Sequence, residues 1–254
     1  MAREVGPRPE PSHPSAGPSR RRGLLETAML VSAAALVVAS LALPWWGETE
    51  HLGPNEWSQT FSPLTGITGS CQPGCNVLVG GGPPTGPISG RHSFSAVYLN
   101  RTGEMYDVAL ALAVVGGAAA LATAAVPLVV RRAGSGPSAA RLGRGMLSVA
   151  LVALALAPGL LAALQPAAMR SDTIARFSGP SGWTASPSPE TSFWGSCSPG
   201  PHNGVCDGGG PVSWGPGLGW FALVGAAALV LIVALRRSLR PPSATTALSP
   251  PPPS

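Results

Sequence analysis

Of the residues in this chain, four cysteines have the type and spacing best suited to a chemical role, and they fall into two pairs. Cys71 and Cys75 flank a Gln-Pro-Gly segment, whereas Cys197 and Cys206 flank a longer segment rich in turn-forming residues. Pro73-Gly74 suits the centre of a type II turn, which would bring the first two thiols together. We therefore expect a disulfide bridge within each pair, each contributing about 2–4 kcal/mol. Bridges between the two pairs are the alternative connectivities.

The same residues could support two other kinds of chemistry. Thiol–disulfide exchange needs a thiolate of lowered pKa, and no basic neighbour or helix N-terminus that would lower it is evident in the sequence. A metal site could use Cys197, His202 and Cys206 with Asp207, but this spacing fits no standard zinc or copper site. Both remain alternatives. The prediction is structural disulfides, with no catalytic residue, no metal site and no cofactor.

The cysteine segments repeat one another. Residues 69–74 read Gly-Ser-Cys-Gln-Pro-Gly and residues 195–200 read Gly-Ser-Cys-Ser-Pro-Gly, and each copy is followed by a second cysteine and a Gly-Gly-Gly-Pro run. The apolar segments that come next, 115–121 and 224–229, also match in most positions. We infer two tandem copies of a span–loop–span unit, which would have the same orientation because each contains two spans.

Four apolar segments are long enough to place these loops on a membrane. A helix needs roughly 20 apolar residues to cross about 30 Å of hydrocarbon at 1.5 Å per residue. Charged residues make up only 11% of the chain, against about a quarter in soluble domains. We predict an all-α integral membrane protein with spans 23–44, 106–130, 145–165 and 216–235, outer loops 45–105 and 166–215, a cytoplasmic loop 131–144, and disordered tails 1–22 and 236–254.

The distribution of arginine orients this predicted bundle. Twelve of the 16 basic residues, all of them Arg, lie on the side of the two tails, which the positive-inside rule makes cytoplasmic. The net charge of +5 is therefore explained by topology, and we expect no nucleic-acid partner. The complete absence of Lys is typical of a GC-rich bacterial genome, so we expect a multi-pass protein of a bacterial cell membrane. The alternative for the first span is a cleaved signal peptide, because Arg20-Arg21-Arg22 partly resembles a twin-arginine motif.

All seven tryptophans lie in the outer loops or at the outer ends of the spans, and the outer loops carry most of the acidic residues. We expect Trp45, Trp46, Trp214 and Trp220 to lie in the aromatic belt at the membrane interface. Segments 76–79 and 92–99 have β-prone or alternating sequences, so we expect the loops to form a small, partly β, disulfide-stapled external cap. The lipid bilayer and a protein on the external side are the expected partners.

Small residues are expected to pack the spans together, since lipid removes the hydrophobic drive between helices. The predicted small faces are Gly116, Ala120 and Ala124 on the second span, Ala155, Gly159 and Ala163 on the third, and Ala222 and Ala226 on the fourth. Ion pumps usually carry ionisable groups inside the bundle. Within the apolar stretches 24–43, 108–130, 146–164 and 217–235, Glu26 is the only such group, one turn inside the first, which argues against a pump.

Two known layouts share features with this chain. Four spans with paired cysteines in both outer loops resemble the quinone-linked disulfide-generating enzymes of the DsbB family, which would make the chain a membrane thiol oxidoreductase. The first pair here is Cys-x-x-x-Cys rather than Cys-x-x-Cys and lies mid-loop, away from a membrane quinone. Claudins resemble the chain in four-span layout, but their Trp-Gly-Leu-Trp…Cys…Cys pattern is absent. We therefore predict a non-catalytic structural or interaction protein, with the oxidoreductase and an accessory subunit of a transport complex as alternatives.

Overall fold

The computed structural model describes residues 18–52, 55–64, 66–72, 88–90, 101–133, 137–177, 188–200 and 210–239. Within them lie four α-helices and six β-strands. The helices are α1 (Pro18–Ala42), α2 (Arg101–Ala133), α3 (Pro137–Phe177) and α4 (Leu218–Ser238). The strands are β1 (Trp46–Leu52), β2 (Asn55–Ser62), β3 (Gly66–Gln72), β4 (Ile88–Gly90), β5 (Gly195–Cys197) and β6 (Val212–Pro216).

All four helices are long and apolar enough to cross a membrane, which is compatible with the predicted multi-pass bundle. Helices α1 and α3 each pack against both α2 and α4, so the four form a closed ring. At 33 and 41 residues, α2 and α3 are about 50 and 60 Å long, well above the roughly 30 Å of a hydrocarbon core. Both helices extend beyond the predicted spans 106–130 and 145–165 at both ends.

Close packing between helices uses the predicted small residues of α2 but not those of α3. A Cβ at Gly116 would lie 2.6 Å from Leu154 Cγ, so glycine at this position lets α3 approach α2. The predicted face of Ala155, Gly159 and Ala163 is exposed, and that prediction is wrong. The face of α3 that is buried combines large and small residues at helical spacing: Leu147, Ala150, Leu154, Ala157 and Leu161.

One ion pair connects the first and last helices at the end of the bundle away from the sheet. Arg237 Nε donates to Glu26 Oε2 at 3.1 Å. The Glu26 side chain is 8% exposed and the Arg237 side chain 26% exposed. Because the two residues come from opposite ends of the chain, this bond joins α1 to α4 where their apolar contact ends.

A six-stranded antiparallel sheet covers the other end of the bundle, in the order β4-β3-β2-β1-β6-β5. Strand β1 follows α1 and pairs with β2 on one side and with β6 on the other. The sheet thus combines strands from both predicted outer loops. The segments in which the sequence predicts strands, 76–79 and 92–99, lie outside the described residues.

The repeated Gly-Ser-Cys triplets occupy comparable places in this sheet. Residues 69–71 lie in β3 and residues 195–197 form β5. Each of these strands pairs antiparallel with the strand that follows its Gly-Gly-Gly-Pro run, β4 or β6. The two hairpins then join the β1–β2 hairpin through different strands, β3 in one copy and β6 in the other.

Candidate functional site

The strand register assigns the sheet two faces of different chemistry. Trp46, Glu48 and Glu50 lie opposite Phe61, Gln59 and Trp57 of β2 and share one face with them. The described side chains on that face are mostly buried. The residues between them point to the other face, since side chains alternate along a strand. We call this second face the hydroxyl face; near the helices it carries Gly47, Thr49, Ser58, Thr60, Ser196, Ser213 and Gly215, and at its far end it carries the exposed pair His51 and Glu56.

Two adjacent tryptophans connect the bundle to the buried face. Trp45 and Trp46 have no exposed surface. Trp45 Nε1 donates to the Ser40 carbonyl at 2.8 Å, and Trp46 Nε1 donates to the Phe193 carbonyl at 2.8 Å. The Trp46 ring meets Phe61 edge-on, with centroids 5.2 Å apart. Both rings therefore lie within the protein with their polar groups satisfied, instead of facing outwards.

The other two predicted interfacial tryptophans also bond to backbone carbonyls. Trp214 is 5% exposed and its Nε1 donates to Ser192 at 3.0 Å. Trp220 is half-buried, and its Nε1 donates to the Pro158 carbonyl of α3 at 3.1 Å. These bonds fix the start of α4 against α3 and β5. The position of the four rings relative to a bilayer stays a prediction.

Backbone contacts at the same junction leave no room for side chains. The amides of Gly217 and Gly219 donate to the carbonyls of Trp45 and Pro44, at 3.0 and 2.7 Å. A Cβ at Gly217 would lie 2.3 Å from the Pro44 oxygen. Glycine is needed here because the start of α4 and the end of α1 approach each other at backbone distance.

A buried glutamate lies at the centre of the sheet. Glu48 is 4% exposed and its Oε1 accepts a hydrogen bond from Gln59 Nε2, across the β1–β2 ladder. Its Oε2 has no partner among the described residues. Burial raises the pKa of Glu48 from 4.5 to about 8, opposed by the Gln59 bond and assisted by Glu50. The protonated carboxyl is therefore the stable form at neutral pH.

Two further carboxylates organise the ends of α2 and α3 beneath the sheet. Both oxygens of Asp172 accept backbone amides at the start of α2, from Arg101 and Thr102, each at 2.9 Å. Thr173 Oγ1 donates to Glu190, which is 3% exposed. Burial raises the pKa of Glu190, and the Thr173 bond and the charge of Arg170 lower it. Within the described residues no group of three or more His, Cys, Asp or Glu could hold a metal ion.

The structure describes only two of the four cysteines, Cys71 and Cys197. Cys197 carries no free thiol. Only the backbone of Cys71 is described, and Cys75 and Cys206 lie outside the described residues, as do His202 and Asp207. Cys71 and Cys197 share one row across the sheet, through Trp57, Glu50 and Val212. Since adjacent strands lie about 4.8 Å apart, four steps separate these two cysteines by about 19 Å along the sheet.

An open groove of about 400 Å³ lies on the hydroxyl face, at the border with the helices. Gly47 and Gly215 are direct neighbours in β1 and β6. Thr49, Thr60 and Ser213 line the groove on the sheet side, and Pro44 and Leu218 line it on the helix side. None of its lining residues is ionisable, so it can offer hydroxyl, backbone and apolar contacts but no charge.

The groove residues were not predicted from the sequence, although a repeated dipeptide could have indicated them. Trp-Gly dipeptides occur at 46–47, 194–195 and 214–215. In the structure, a Cβ at Gly195 would lie 2.6 Å from Trp214 Cζ2, and one at Gly215 would lie 3.2 Å from Trp194 Cβ. The Trp214 ring thus lies over Gly195 of the neighbouring strand, and the Cβ of Trp194 lies beside Gly215. Large residues alternating with glycine would have indicated paired strands with close packing on both faces.

The structure defines a class of protein: a four-helix, membrane-type bundle that carries a small antiparallel sheet at one end. No model of a known protein family matches the chain, and no curated protein matches its sequence.

Proposed function

We propose that this chain is a non-catalytic interaction protein of a bacterial cell membrane, with both termini in the cytoplasm and the sheet displayed as an external cap. The orientation follows the arginine distribution, which places the Glu26–Arg237 pair at the cytoplasmic end. The hydroxyl face would then point away from the membrane-spanning bundle and be available to a protein partner.

The observation that carries this proposal is the firm attachment of the sheet. Its central strand follows α1 directly, and its buried face is fixed by two fully buried tryptophans and their carbonyl bonds. Glycine amides at the start of α4 bond to the same segment. A sheet held in this way at its junction with the helices presents its other face at little entropic cost to binding.

Site-specific photocrosslinking in native membranes tests the partner surface. A photoreactive residue replacing Ser58 or Ser196, both on the hydroxyl face, should give discrete higher-mass adducts on irradiation. The same residue replacing Val152, an outward residue of α3 that is 56% exposed, should give none. Equal adducts at all three positions, or none at any, would remove the support for a partner on this face.

We further propose that the cap is stapled by Cys71–Cys75 and Cys197–Cys206. A Cys71–Cys197 bridge needs Cα atoms less than about 7 Å apart. Three strands lie between these residues, which are four inter-strand steps apart, and β4 occupies the outer edge of β3, so β3 cannot close onto β5. The same spacing argues against direct thiol exchange between the two Gly-Ser-Cys segments, which the oxidoreductase alternative would use.

The redox state of the cysteines in native membranes distinguishes the structural role of the bridges from the oxidoreductase alternative. Acid-trapped membranes would be labelled with maleimide-PEG, with and without mild reductant, and compared by gel shift. Full oxidation that resists mild reductant is expected for structural bridges. A mixed population, or mixed disulfides with another protein, would favour the oxidoreductase.

A further inference from the structure

We infer that the groove at the foot of the hydroxyl face binds the neutral sugar headgroup of a glycolipid in the outer leaflet. This inference goes beyond the protein partner proposed above and stands even if that surface binds no protein. It rests on the shape of the groove, its chemistry and its position.

The shape comes from the paired glycines. Gly47 and Gly215 lie side by side in β1 and β6, so a strip two strands wide, roughly 10 Å, has no side chains. Thr60, opposite Gly47 in β2, borders the strip on one side. Trp194, whose Cβ is next to Gly215, borders it on the other. The strip is wide enough for one pyranose ring lying flat on the strands.

The chemistry suits a sugar. Thr49, Thr60 and Ser213 provide hydroxyls that both donate and accept hydrogen bonds. Trp194, which directly precedes β5, is 62% exposed, whereas Trp45, Trp46 and Trp214 are at most 5% exposed. An exposed aromatic ring beside hydroxyls offers an apolar face for the C–H side of a pyranose and polar partners for its hydroxyls.

The absence of charge in the groove selects among lipids. No ionisable residue lines it, so it offers no cation for a phosphate. An anionic headgroup would therefore lose its hydration without gaining a charged partner, and a neutral, hydroxyl-rich headgroup is favoured.

The position places the acyl chains in lipid. The groove ends at Pro44, just after α1, and at Leu218, the first residue of α4. Leu218 is 69% exposed and Phe221, one turn along α4, is 53% exposed. A headgroup in the groove would thus sit above an apolar helix surface against which its chains can pack.

Native mass spectrometry of the detergent-purified full chain tests this inference. The protein would be titrated with monoglucosyl-dioleoylglycerol, with dioleoylglycerol, which lacks the sugar, and with dioleoyl-phosphatidylglycerol, which is anionic. We expect the glucosyl lipid to be retained at least about fivefold more than either other lipid, the equivalent of one to two net hydrogen bonds. Equal retention of dioleoylglycerol, or stronger retention of phosphatidylglycerol, would overturn the inference.

A pair of matched variants locates the site. Ser213→Ala removes a groove hydroxyl, whereas Ser196→Ala removes the hydroxyl opposite it in β5, which does not line the groove. The first should lower glucosyl-lipid retention about three- to tenfold and the second should leave it unchanged. Equal effects of the two variants would contradict the assignment.

A measurement on the unsubstituted chain covers the case in which a variant misfolds. Glucosyl lipid should protect part of the tryptophan fluorescence from acrylamide, and dioleoylglycerol should not. Trp194→Phe should lose the protected component, because Trp194 is the highly exposed tryptophan whose Cβ lies next to Gly215 of the groove. Protection that persists in Trp194→Phe would show that the lipid binds elsewhere, and the inference would fail.

Discussion

Replacing Glu48 by Gln should remove a pH dependence from the stability of the protein. Glu48 is 4% exposed, and its pKa rises from 4.5 to about 8 in the folded chain. An acid whose pKa is raised by folding contributes stability that is fully present below pH 4.5 and is lost as the pH rises through about 8. The shift corresponds to about 5 kcal/mol as an upper limit, at roughly 1.4 kcal/mol per unit of pKa.

Part of this loss of stability is expected near neutral pH, where it can be measured. Between about pH 6 and pH 8 the folded state should lose about 2 kcal/mol relative to the unfolded state. Thermal unfolding in detergent, followed by tryptophan fluorescence, should show Tm falling over this range for the natural chain and a flatter profile for Glu48→Gln. Gln cannot ionise and retains an oxygen that can accept the Gln59 bond.

Glu104→Gln, the same substitution at an exposed position of α2, is the matched control and should follow the natural chain. Parallel profiles for the natural chain and Glu48→Gln would refute the reasoning, because they would mean that Glu48 is solvated or paired with a cation in the folded protein.

Three further substitutions probe the contacts that connect the elements, each followed by Tm in the same detergent. Glu26→Gln removes the charge that pairs with Arg237 and should lower the free energy of unfolding by about 1–3 kcal/mol, less than for a fully buried pair because Arg237 is partly exposed. The double exchange Glu26→Arg with Arg237→Glu should recover part of this loss. No recovery would mean that the two charges do not interact. Asp172→Ala removes the acceptor of two backbone amides at the start of α2 and should lower the free energy of unfolding by about 1–2 kcal/mol. An unchanged Tm would show that this cap does not contribute to stability. Gly217→Ala should lower Tm strongly, because the new Cβ would clash with the Pro44 carbonyl oxygen. Gly159→Ala places its Cβ where nothing lies within 4 Å, so it should be neutral or stabilise α3 by up to about 1 kcal/mol. Similar shifts in Tm for the two glycine variants would contradict the close approach of α1 and α4.

The helices could be predicted from the sequence because hydrocarbon length and apolar composition determine them almost alone. All four predicted spans lie largely within helices of the structure. Their packing was less predictable. Small residues recur on several faces of an alanine-rich helix, so the exposed face of Ala155 and Gly159 could not be distinguished from the buried face that contains Leu154.

The sheet was the harder part to predict. Strands β1 and β2 contain several charged or polar residues, among them Glu48 and Gln59, and their burial depends on pairing with each other. Strand β6 pairs with β1 although the rest of the bundle separates them in sequence. Local patterns carry no information on such a pairing, so the groove between Gly47 and Gly215 could not be found before the register was known.

The pairing of β1 with β6 also has a consequence for how the protein is made. β1 emerges from the ribosome with the first loop, and β6 follows roughly 165 residues later. At about 5–20 residues per second, that edge of β1 waits about 10–30 s for its partner strand. During this interval the edge from Trp46 to Glu50 has unsatisfied amides and carbonyls and exposes hydrophobic rings. A nascent chain stalled before the fourth helix would therefore be a substrate for chaperones or proteases, and completion of the last helix would end that vulnerability.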